Sequence, residues 1–281
     1  MKKTIATIIL TVIFISVNAQ APSWEWAKKI GSDGEEKGFC TKTDPSGNVY
    51  VAGYFDSQSV QLGGVYYTNF SILGGTKDIF IVKYDVLGNV LWTKGIGSFN
   101  ADKVYDMCID AFGNVYITGV TYSNYLIIGT DTLLSGTGQN MFIAKYDSSG
   151  NFQWAKNPTS NNADDMGFDI ASDPFGNVFV SGVFRGSFIA FGNDTLINNQ
   201  NTFYDIFIVK YDSLGNLLWS KREGGGGYEF AYCATDQSGN LFISGYTSSP
   251  YMQLDTTLYQ FGSGSDLDFF TVKYDASGNL L

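Results

Sequence analysis

The chain has 281 residues, of which 44% are hydrophobic and 16% aromatic, and its net charge is −10. Such a chain can bury a large core and does not belong to the disordered class. Its acidity argues against nucleic acid as a ligand, because phosphate binding needs clustered lysine and arginine side chains. The sequence contains no histidine, which excludes Ser-His-Asp and Cys-His catalysis and histidine-bound zinc.

The first twenty residues have the pattern of a secretory signal peptide. Lys2 and Lys3 precede an apolar run over 4–17, and a small-residue cleavage site ends at Ala19. The apolar run is shorter than the ~18 residues that a spanning helix requires. We therefore expect residues 1–19 to be a signal peptide and the protein to be secreted, either extracellular or at the cell surface, with the periplasm as an alternative and with no membrane span.

Residues 20–281 consist of two alternating signatures. The first reads DPSGNVYVAG in its first copy, and its copies begin at Asp44, Asp110, Asp173 and Asp236. The second reads DIFIVKYDVLGNVLWTK in its first copy, and its copies begin at Asp78, Asn140, Asp205 and Asp268. Successive copies of the first signature lie 63–66 residues apart. A repeat of this period indicates a repeat architecture such as a propeller or a solenoid.

The sequence pattern of each repeat unit predicts four strands, which we name A to D. Strand A ends at the first aspartate, strand B carries the VYVAG-type run, strand C the FIVKYD run and strand D the LW-K run. D-x-x-G-N turns join A to B and C to D, because aspartate can cap a turn and glycine adopts positive φ. The longer segment between B and C is expected to form a small extra hairpin. The predicted blade units cover approximately 38–94, 104–156, 167–221 and 229–281.

Both faces of the predicted sheets are apolar. In strand B of unit one, Val49 and Val51 point to one face, and Tyr50 and Ala52 point to the other. A two-sheet sandwich would leave one face of each sheet polar, whereas radial stacking covers both faces. We therefore predict an all-β fold, a β-propeller with four blade units of about 64 residues, with a β-solenoid as the alternative.

The run 24–28 matches strand D of a unit whose other strands are missing, because Trp26 corresponds to Trp92. This run could pair with strand C of unit four, over 268–275, and so close a four-bladed ring. Alternatively, the units could form an incomplete, open ring. We expect the open ring, with no ladder between the two runs.

The alternating signatures resemble the bacterial SBBP β-propeller repeat family over essentially all of residues 20–281. The A–B part also resembles NHL-type blades, and KYD-x-x-G-N-x-x-W resembles the tryptophan-docking motif of quinone-dependent dehydrogenases. Two departures are that Asn140 replaces the leading aspartate and that unit four lacks the tryptophan. The resemblance implies a secreted or surface-exposed protein, often part of a larger modular one, with no shared catalytic residues.

An acidic residue precedes strand A in every unit. The four residues are Glu36, Asp102, Asp165 and Glu229. In a propeller they would ring the mouth of the channel, where converging carboxylates could hold a cation or an amine ligand. The alternative, which we expect, is that they lie splayed on a solvated rim. We predict no catalytic residue, no metal ligand and no cofactor; D-x-x-G-N lacks the spacing of a calcium loop.

The remaining repeated residues have structural interpretations. The strand D tryptophans should pack between blades rather than serve as sugar platforms. The strand C lysines should pair with neighbouring acids and lay their stems over apolar side chains. A disulfide needs Cα atoms ~4.4–6.8 Å apart, and we expect no hydrogen bonding between A strands of different blades. Cys40, Cys108 and Cys233 should therefore be three free thiols.

These observations predict a non-enzymatic, exported interaction module. Its ligand would be a glycan, a peptide or a surface protein, bound through the rim of B–C and D–A loops. One alternative is a structural spacer in a larger surface protein. The other is a hydrolase or lyase that uses the rim carboxylates as acid and base. The rim acids lie in loops rich in glycine, asparagine and serine, without apolar neighbours that would shift their pKa values, which favours binding over catalysis.

Overall fold

The computed structural model describes residues 25–71, 74–161, 163–198, 203–262 and 266–281, and the predicted signal peptide and Trp24 lie outside them. All regular structure in these ranges is β-strand, without any helix. Strands A to D of unit one are β1 (Glu36–Thr43), β2 (Val49–Phe55), β5 (Asp78–Tyr84) and β6 (Val90–Ile96). Those of unit two are β7 (Asp102–Ile109), β8 (Val115–Thr121), β11 (Gly138–Tyr146) and β12 (Phe152–Lys156).

Units three and four repeat this arrangement. Unit three contains β14 (Ala163–Ser172), β15 (Val178–Phe184), β18 (Asp205–Tyr211) and β19 (Leu217–Gly225). Unit four contains β20 (Glu229–Thr235), β21 (Leu241–Thr247) and β24 (Asp268–Tyr274), and a bridge from Tyr274 to Leu280 occupies the position of strand D. In each unit the strands pair antiparallel in the order A–B–C–D, as predicted.

The segments between B and C form the four predicted hairpins. They are β3 (Ser59–Leu62) with β4 (Val65–Thr68), β9 (Tyr125–Ile128) with β10 (Asp131–Leu134), β16 (Phe188–Phe191) with β17 (Asp194–Ile197), and β22 (Tyr251–Leu254) with β23 (Thr257–Gln260). Each D–A connector pairs with the hairpin of the following unit, through Gly97 on β9, β13 (Thr159–Ser160) on β16, and the end of β19 on β22. Backbone hydrogen bonds therefore link consecutive units.

The D-x-x-G-N turns have the predicted geometry. Asp44 Oδ1 accepts hydrogen bonds from the backbone N–H groups of Ser46 and Asn48, and Oδ2 accepts one from the Asn48 amide. Gly47 has a φ of 82°, which the turn requires. The pattern recurs at Asp85, Asp110, Asp147, Asp173, Asp212, Asp236 and Asp275. Turn capping thus accounts for every copy of the motif.

The strand D tryptophans pack between units, as predicted. The indole of Trp92 lies on Gly150 in the C–D turn of unit two, so closely that a Cβ there would be 2.8 Å from Trp92 Cδ2. Its Nε1 donates to Ser148 O at 3.2 Å. The same arrangement joins Trp26 to Gly88, Trp154 to Gly215 and Trp219 to Gly278. Each tryptophan therefore docks on the unit that follows it.

Three of the four strand C lysines, Lys83, Lys145 and Lys210, also connect adjacent units. Lys83 Nζ lies 3.6 Å from Asp44 Oδ2 and donates to Ser148 O at 2.9 Å. Equivalent contacts are Lys145 to Ser213, Lys210 to Asp173 and Ala276, and Lys273 to Asp236. The predicted ion pair is present for Lys83, Lys210 and Lys273. The hydrophobic cores lie between units, where Ile81 of unit one packs with Ile117 and Phe142 of unit two.

The described part of the N-terminal run, 25–28, forms no ladder with β24. Trp26 instead contacts unit one, with its ring centroid 5.6 Å from that of Tyr84. Within the described ranges, β24 pairs with β21 and bridges to Leu280. No ladder joins the two runs within the described residues, and the open ring stays a prediction.

Candidate functional site

The four A strands face one another around a central cavity of about 540 Å³. Its walls are 41–43 of unit one, 108–109 of unit two, 169–172 of unit three and 233–235 of unit four. Strand A is therefore the innermost strand of each unit. Radial stacking of the sheets produces this channel because each sheet presents its first edge to a common centre.

Side chains join the A strands of neighbouring units along the wall of the channel. Asp106 Oδ2 accepts a hydrogen bond from the backbone N–H of Ile170 at 3.3 Å, and Asp169 Oδ2 accepts one from that of Cys233 at 2.6 Å. Thr235 Oγ1 donates to Ser172 O at 2.7 Å. We expected no hydrogen bonds between A strands of different units. This expectation was wrong, because side chains of one A strand form hydrogen bonds with the backbone of the next. The carboxylates satisfy strand-edge N–H groups that lack a neighbouring strand.

Asp106 and Asp169 form a pair of neighbouring carboxyl groups in the channel. Lys42 Nζ lies 3.2 Å from Asp106 Oδ1. Burial, with the adjacent carboxyl group of Asp106, raises the pKa of Asp169 to about 7. Because both acids also hold backbone N–H groups of the next unit, their arrangement is explained by stabilisation of the channel wall.

The three cysteines are free thiols, as predicted. Burial raises the pKa of Cys40 to about 12 and holds the pKa values of Cys108 and Cys233 well above the usual range for a thiol. A thiol that stays protonated is a poor nucleophile and a poor metal ligand. Cys108 and Cys233 therefore act as small apolar side chains in the walls of the channel, and Cys40 packs against the core between units one and two.

Three of the four predicted rim acids are buried. Asp102, Asp165 and Glu229 are 0%, 1% and 0% exposed, and Glu36 is half-buried. Asp102 accepts a hydrogen bond from Ser98 Oγ at 2.6 Å, and Asp165 accepts one from Ser160 Oγ at 2.8 Å. The solvated rim was the wrong expectation for the buried three. Hydroxyl groups of the D–A connectors replace water around Asp102 and Asp165, and those of Thr247 and Ser249 replace it around Glu229.

The other two rim acids use similar partners. Glu36 accepts hydrogen bonds from Ser32 and Ser57, and Glu229 accepts them from Thr247 and Ser249. Each acid thus ties a loop to the start of strand A. Within the described ranges, no three histidine, cysteine, aspartate or glutamate side chains are grouped so that they could hold a metal ion. The four carboxylates therefore form separate structural contacts.

Burial changes the acidity of these carboxyl groups. It raises the pKa of Asp102 to about 7, that of Asp165 to about 6 and that of Glu229 to about 7, because the charged form loses its hydration. The expectation that no environment would shift these pKa values was wrong. The polar composition of these loops gives no indication that other parts of the folded chain bury Asp102, Asp165 and Glu229.

An aromatic side chain occupies the start of strand A in each unit. We call Phe39, Tyr105, Phe168 and Phe230 the aromatic rim. Ring centroids of successive members are 6.4, 5.3 and 5.5 Å apart, so that the row is continuous across all four units. Phe39 is 39% exposed, and the other three are half-buried. The row lies where the D–A connectors enter the A strands.

β-Bulges place the first three of these rings. In β1, β7 and β14 the residue that carries the ring is an extra residue in the pairing of A with B. The bulge lies opposite the last glycine of the VYVAG-type run. At Gly53 and Gly119 a Cβ would meet the strand A carbonyl oxygen at 2.0 Å, so only glycine fits. The repeated glycine thus permits the bulge that turns the ring towards the channel mouth.

Three lysines flank the aromatic rim on units one and two. We call Lys37, Lys77 and Lys103 the basic corner. Lys37 Nζ lies 5.0 Å above the Phe39 ring, and Lys77 Nζ lies 4.3 Å above the Tyr54 ring. Lys103 Nζ lies 5.5 Å above the Tyr122 ring. Burial and the charges of Lys77 and Lys37 lower the pKa of Lys103.

Units three and four give the rim a different character. Phe230 packs on Tyr246 with centroids 5.3 Å apart, and Tyr228 packs on Phe203 at 5.0 Å. The basic residue here, Arg185, is neutralised by Asp164 at 2.8 Å. One half of the rim therefore presents positive charge and the other presents aromatic surface.

Sequence reasoning missed both the aromatic rim and the basic corner. A usable signal was present, because an aromatic residue stands five positions before the turn aspartate in units one to three. Residues at this position do not fit the alternation of strand A, since a bulge changes the side to which the following side chains point. The basic corner has no signal in the repeat, because Lys77 immediately precedes strand C of unit one, whereas Lys37 and Lys103 lie at the starts of strands A of units one and two.

No family model matches the sequence. The chain is 25% identical to an uncharacterized WD repeat-containing protein of Acanthamoeba polyphaga mimivirus over 330 aligned residues, which cover 97% of this chain and 24% of the relative. The chain thus spans about a quarter of the length of the curated relative that it matches. The part of the chain that the structure describes contains no helix with the length and hydropathy of a membrane span. The all-β architecture and the WD repeat-containing relative together fit a repeat protein of the β-propeller type.

Proposed function

We propose that the protein is a non-enzymatic interaction module that binds a protein or peptide partner through the aromatic rim and the loops around it. The likeness to a WD repeat-containing protein supports an interaction role. The observation that carries the proposal is the continuous aromatic row, part of which is open to solvent. Aromatic side chains that remain at a surface are typical of binding sites.

The proposal includes the setting of the module. A signal peptide at 1–19 would export it, and an open ring of four blades of the SBBP type would belong to a larger surface protein. Trp26 docks on unit one in the same way as Trp92, Trp154 and Trp219 dock on the units that follow them. Fractionation of expressing cells, with N-terminal sequencing of the product, would test export. A product that stays in the cytoplasm and begins at Met1 would exclude it.

The two alternatives have less support. A spacer has no need of a partly exposed aromatic row that crosses four units. A hydrolase or lyase built on Glu36, Asp102, Asp165 and Glu229 would need carboxylates that a substrate can reach, and three of the four are buried beneath hydroxyl partners. A glycan remains the alternative ligand for the same rim.

Selection of displayed peptides on the purified protein tests the proposed function. Selected peptides should lose binding to the double variant Phe39→Ala/Phe168→Ala, which removes two rings of the aromatic rim. They should keep binding to Phe112→Ala, which removes an exposed ring from an A–B turn at the other end of the sheets. Selected peptides that bind both variants equally would refute a role for the rim. Melting temperatures of both variants control for unfolding.

A further inference from the structure

We propose that the partner segment is an extended peptide that places acidic side chains on the basic corner and apolar or aromatic side chains on Phe168 and Phe230. This inference rests on the proposed function and names the chemistry of its ligand. It assigns to Lys37 and Lys103 the role of binding carboxylates and to the second half of the aromatic rim the role of an apolar subsite.

The charge distribution supports an anionic ligand. The whole chain is acidic, with a net charge of −10. At the basic corner, however, Lys37 and Lys77 lie over the rings of Phe39 and Tyr54, whose centroids are 5.6 Å apart. Lys77 Nζ has a partner in Glu35 at 3.6 Å, whereas Lys37 and Lys103 form no ion pair with any described residue. Three neighbouring positive charges repel one another, and an incoming carboxylate would relieve that repulsion.

The position of the ammonium groups distinguishes a carboxylate ligand from a sugar. Lys37, Lys77 and Lys103 lie over the rings of Phe39, Tyr54 and Tyr122 at 5.0, 4.3 and 5.5 Å. A ring face that is covered by an ammonium group is not free to stack on a sugar. The rings instead hold the lysines in place, which reduces the side-chain entropy that a bound carboxylate would cost.

The dimensions of the rim fit an extended peptide. The three steps between neighbouring rings, of 6.4, 5.3 and 5.5 Å, together match about five residues of extended chain at ~3.3 Å per residue. A segment of that length can reach from Lys37 to Phe230. In the extended conformation alternate side chains face the rim, so the motif would alternate acidic or apolar anchors with residues that face solvent.

Fluorescein-labelled peptides test the inference directly. The probe is an octapeptide with two aspartates in its first half and two phenylalanines in its second half, at alternate positions; its controls replace aspartate by asparagine or phenylalanine by serine. The full chain should bind the probe at least tenfold more tightly than either control in fluorescence anisotropy. The double variant Lys37→Glu/Lys103→Glu should bind the probe at least tenfold more weakly than the unchanged protein. The control variant Lys156→Glu, at an exposed position on strand D of unit two, should bind it as tightly as the unchanged protein.

Salt and a polyanionic sugar provide further readouts. Binding of the probe should weaken between 0.1 M and 1 M salt, because the screening length falls from about 10 Å to about 3 Å. Equal binding of probe and asparagine control, no loss in the lysine variant, or tighter binding of oligogalacturonate than of the probe would each overturn the inference. Displayed peptides that need the aromatic rim but contain no excess of aspartate or glutamate would overturn the acidic ligand and leave the proposed function standing.

Discussion

The docking of Trp154 on Gly215 makes a quantitative prediction about stability. Gly215 has a φ of 83°, and a Cβ at this position would lie 2.9 Å from Trp154 Cδ2. Gly176 provides a matched control, because its φ is 82° but the nearest atom to its Cβ position is Phe112 Cε2 at 3.4 Å. Both glycines occupy the same position in a D-x-x-G-N turn, so that the indole is the main difference between them.

Two terms contribute to the loss of stability, namely the backbone strain of an alanine at positive φ and the displacement of the indole by its methyl group. An alanine in the left-handed region costs about 1–2 kcal/mol, and Gly176→Ala should show this cost alone. Gly215→Ala should cost about 1–3 kcal/mol more, because the new methyl group displaces a packed indole. The total for Gly215→Ala is then about 2–5 kcal/mol.

A double-mutant cycle isolates the contact. Trp154→Ala alone should destabilise the protein by about 3 kcal/mol, since it removes a half-buried indole and its hydrogen bond to Ser213 O. In the Trp154→Ala background, Gly215→Ala should cost only what Gly176→Ala costs, because the indole is gone. Urea unfolding followed by tryptophan fluorescence and circular dichroism gives the free energies of unfolding for all five proteins.

Two results would refute this reasoning. Equal losses in Gly215→Ala and Gly176→Ala, within about 0.5 kcal/mol, would show that the indole does not occupy the space above the turn. Additive losses in the cycle, within the same margin, would show that Trp154 and Gly215 are energetically independent.

Three further predictions concern titration and reactivity. Burial raises the pKa of Asp102 to about 7, so between pH ~4 and ~7 the folded chain binds more protons than the unfolded chain. Stability should therefore be full below this window and fall as pH rises through it, and Asp102→Asn should reduce the difference in unfolding midpoint between pH 5 and pH 8. Asn140→Asp removes the side-chain amide hydrogen bonds to two backbone carbonyl groups and adds a charge near Asp165. It should lower the free energy of unfolding by about 1–3 kcal/mol at pH 8 and by less at pH 5. An equal loss at the two pH values would contradict this prediction. Thiol titration should find three groups in denaturant, and Cys108 and Cys233 should react slowly at pH 8 in the native protein.

Much of the fold could be predicted from the sequence because its determinants are local. The turn at Asp44 needs only its own carboxylate, Gly47 and Asn48, all within five residues. The docking of the tryptophans followed from their recurrence in register. Such features repeat in every unit, so that four copies reinforce one interpretation.

The candidate site depended on packing between units and was harder to predict. Asp102 lies in a connector of loop-like composition, but Ser98 and the neighbouring hairpin enclose it. Phe39 lies at the channel mouth because a bulge opposite Gly53 breaks the alternation of strand A. Both effects arise from atoms of other strands, which a linear pattern of residues does not specify.

The contacts between units have a consequence for how such a chain can evolve. Trp26, Trp92, Trp154 and Trp219 donate to the backbone carbonyl groups of Val86, Ser148, Ser213 and Ala276. The acceptor is always the peptide backbone, so the identity of the receiving side chain is free to vary. A duplicated unit would find compatible acceptors in any neighbour without compensating substitutions. Gene duplication can therefore lengthen or shorten the array by whole units, while the residues at the rim of each copy diversify independently.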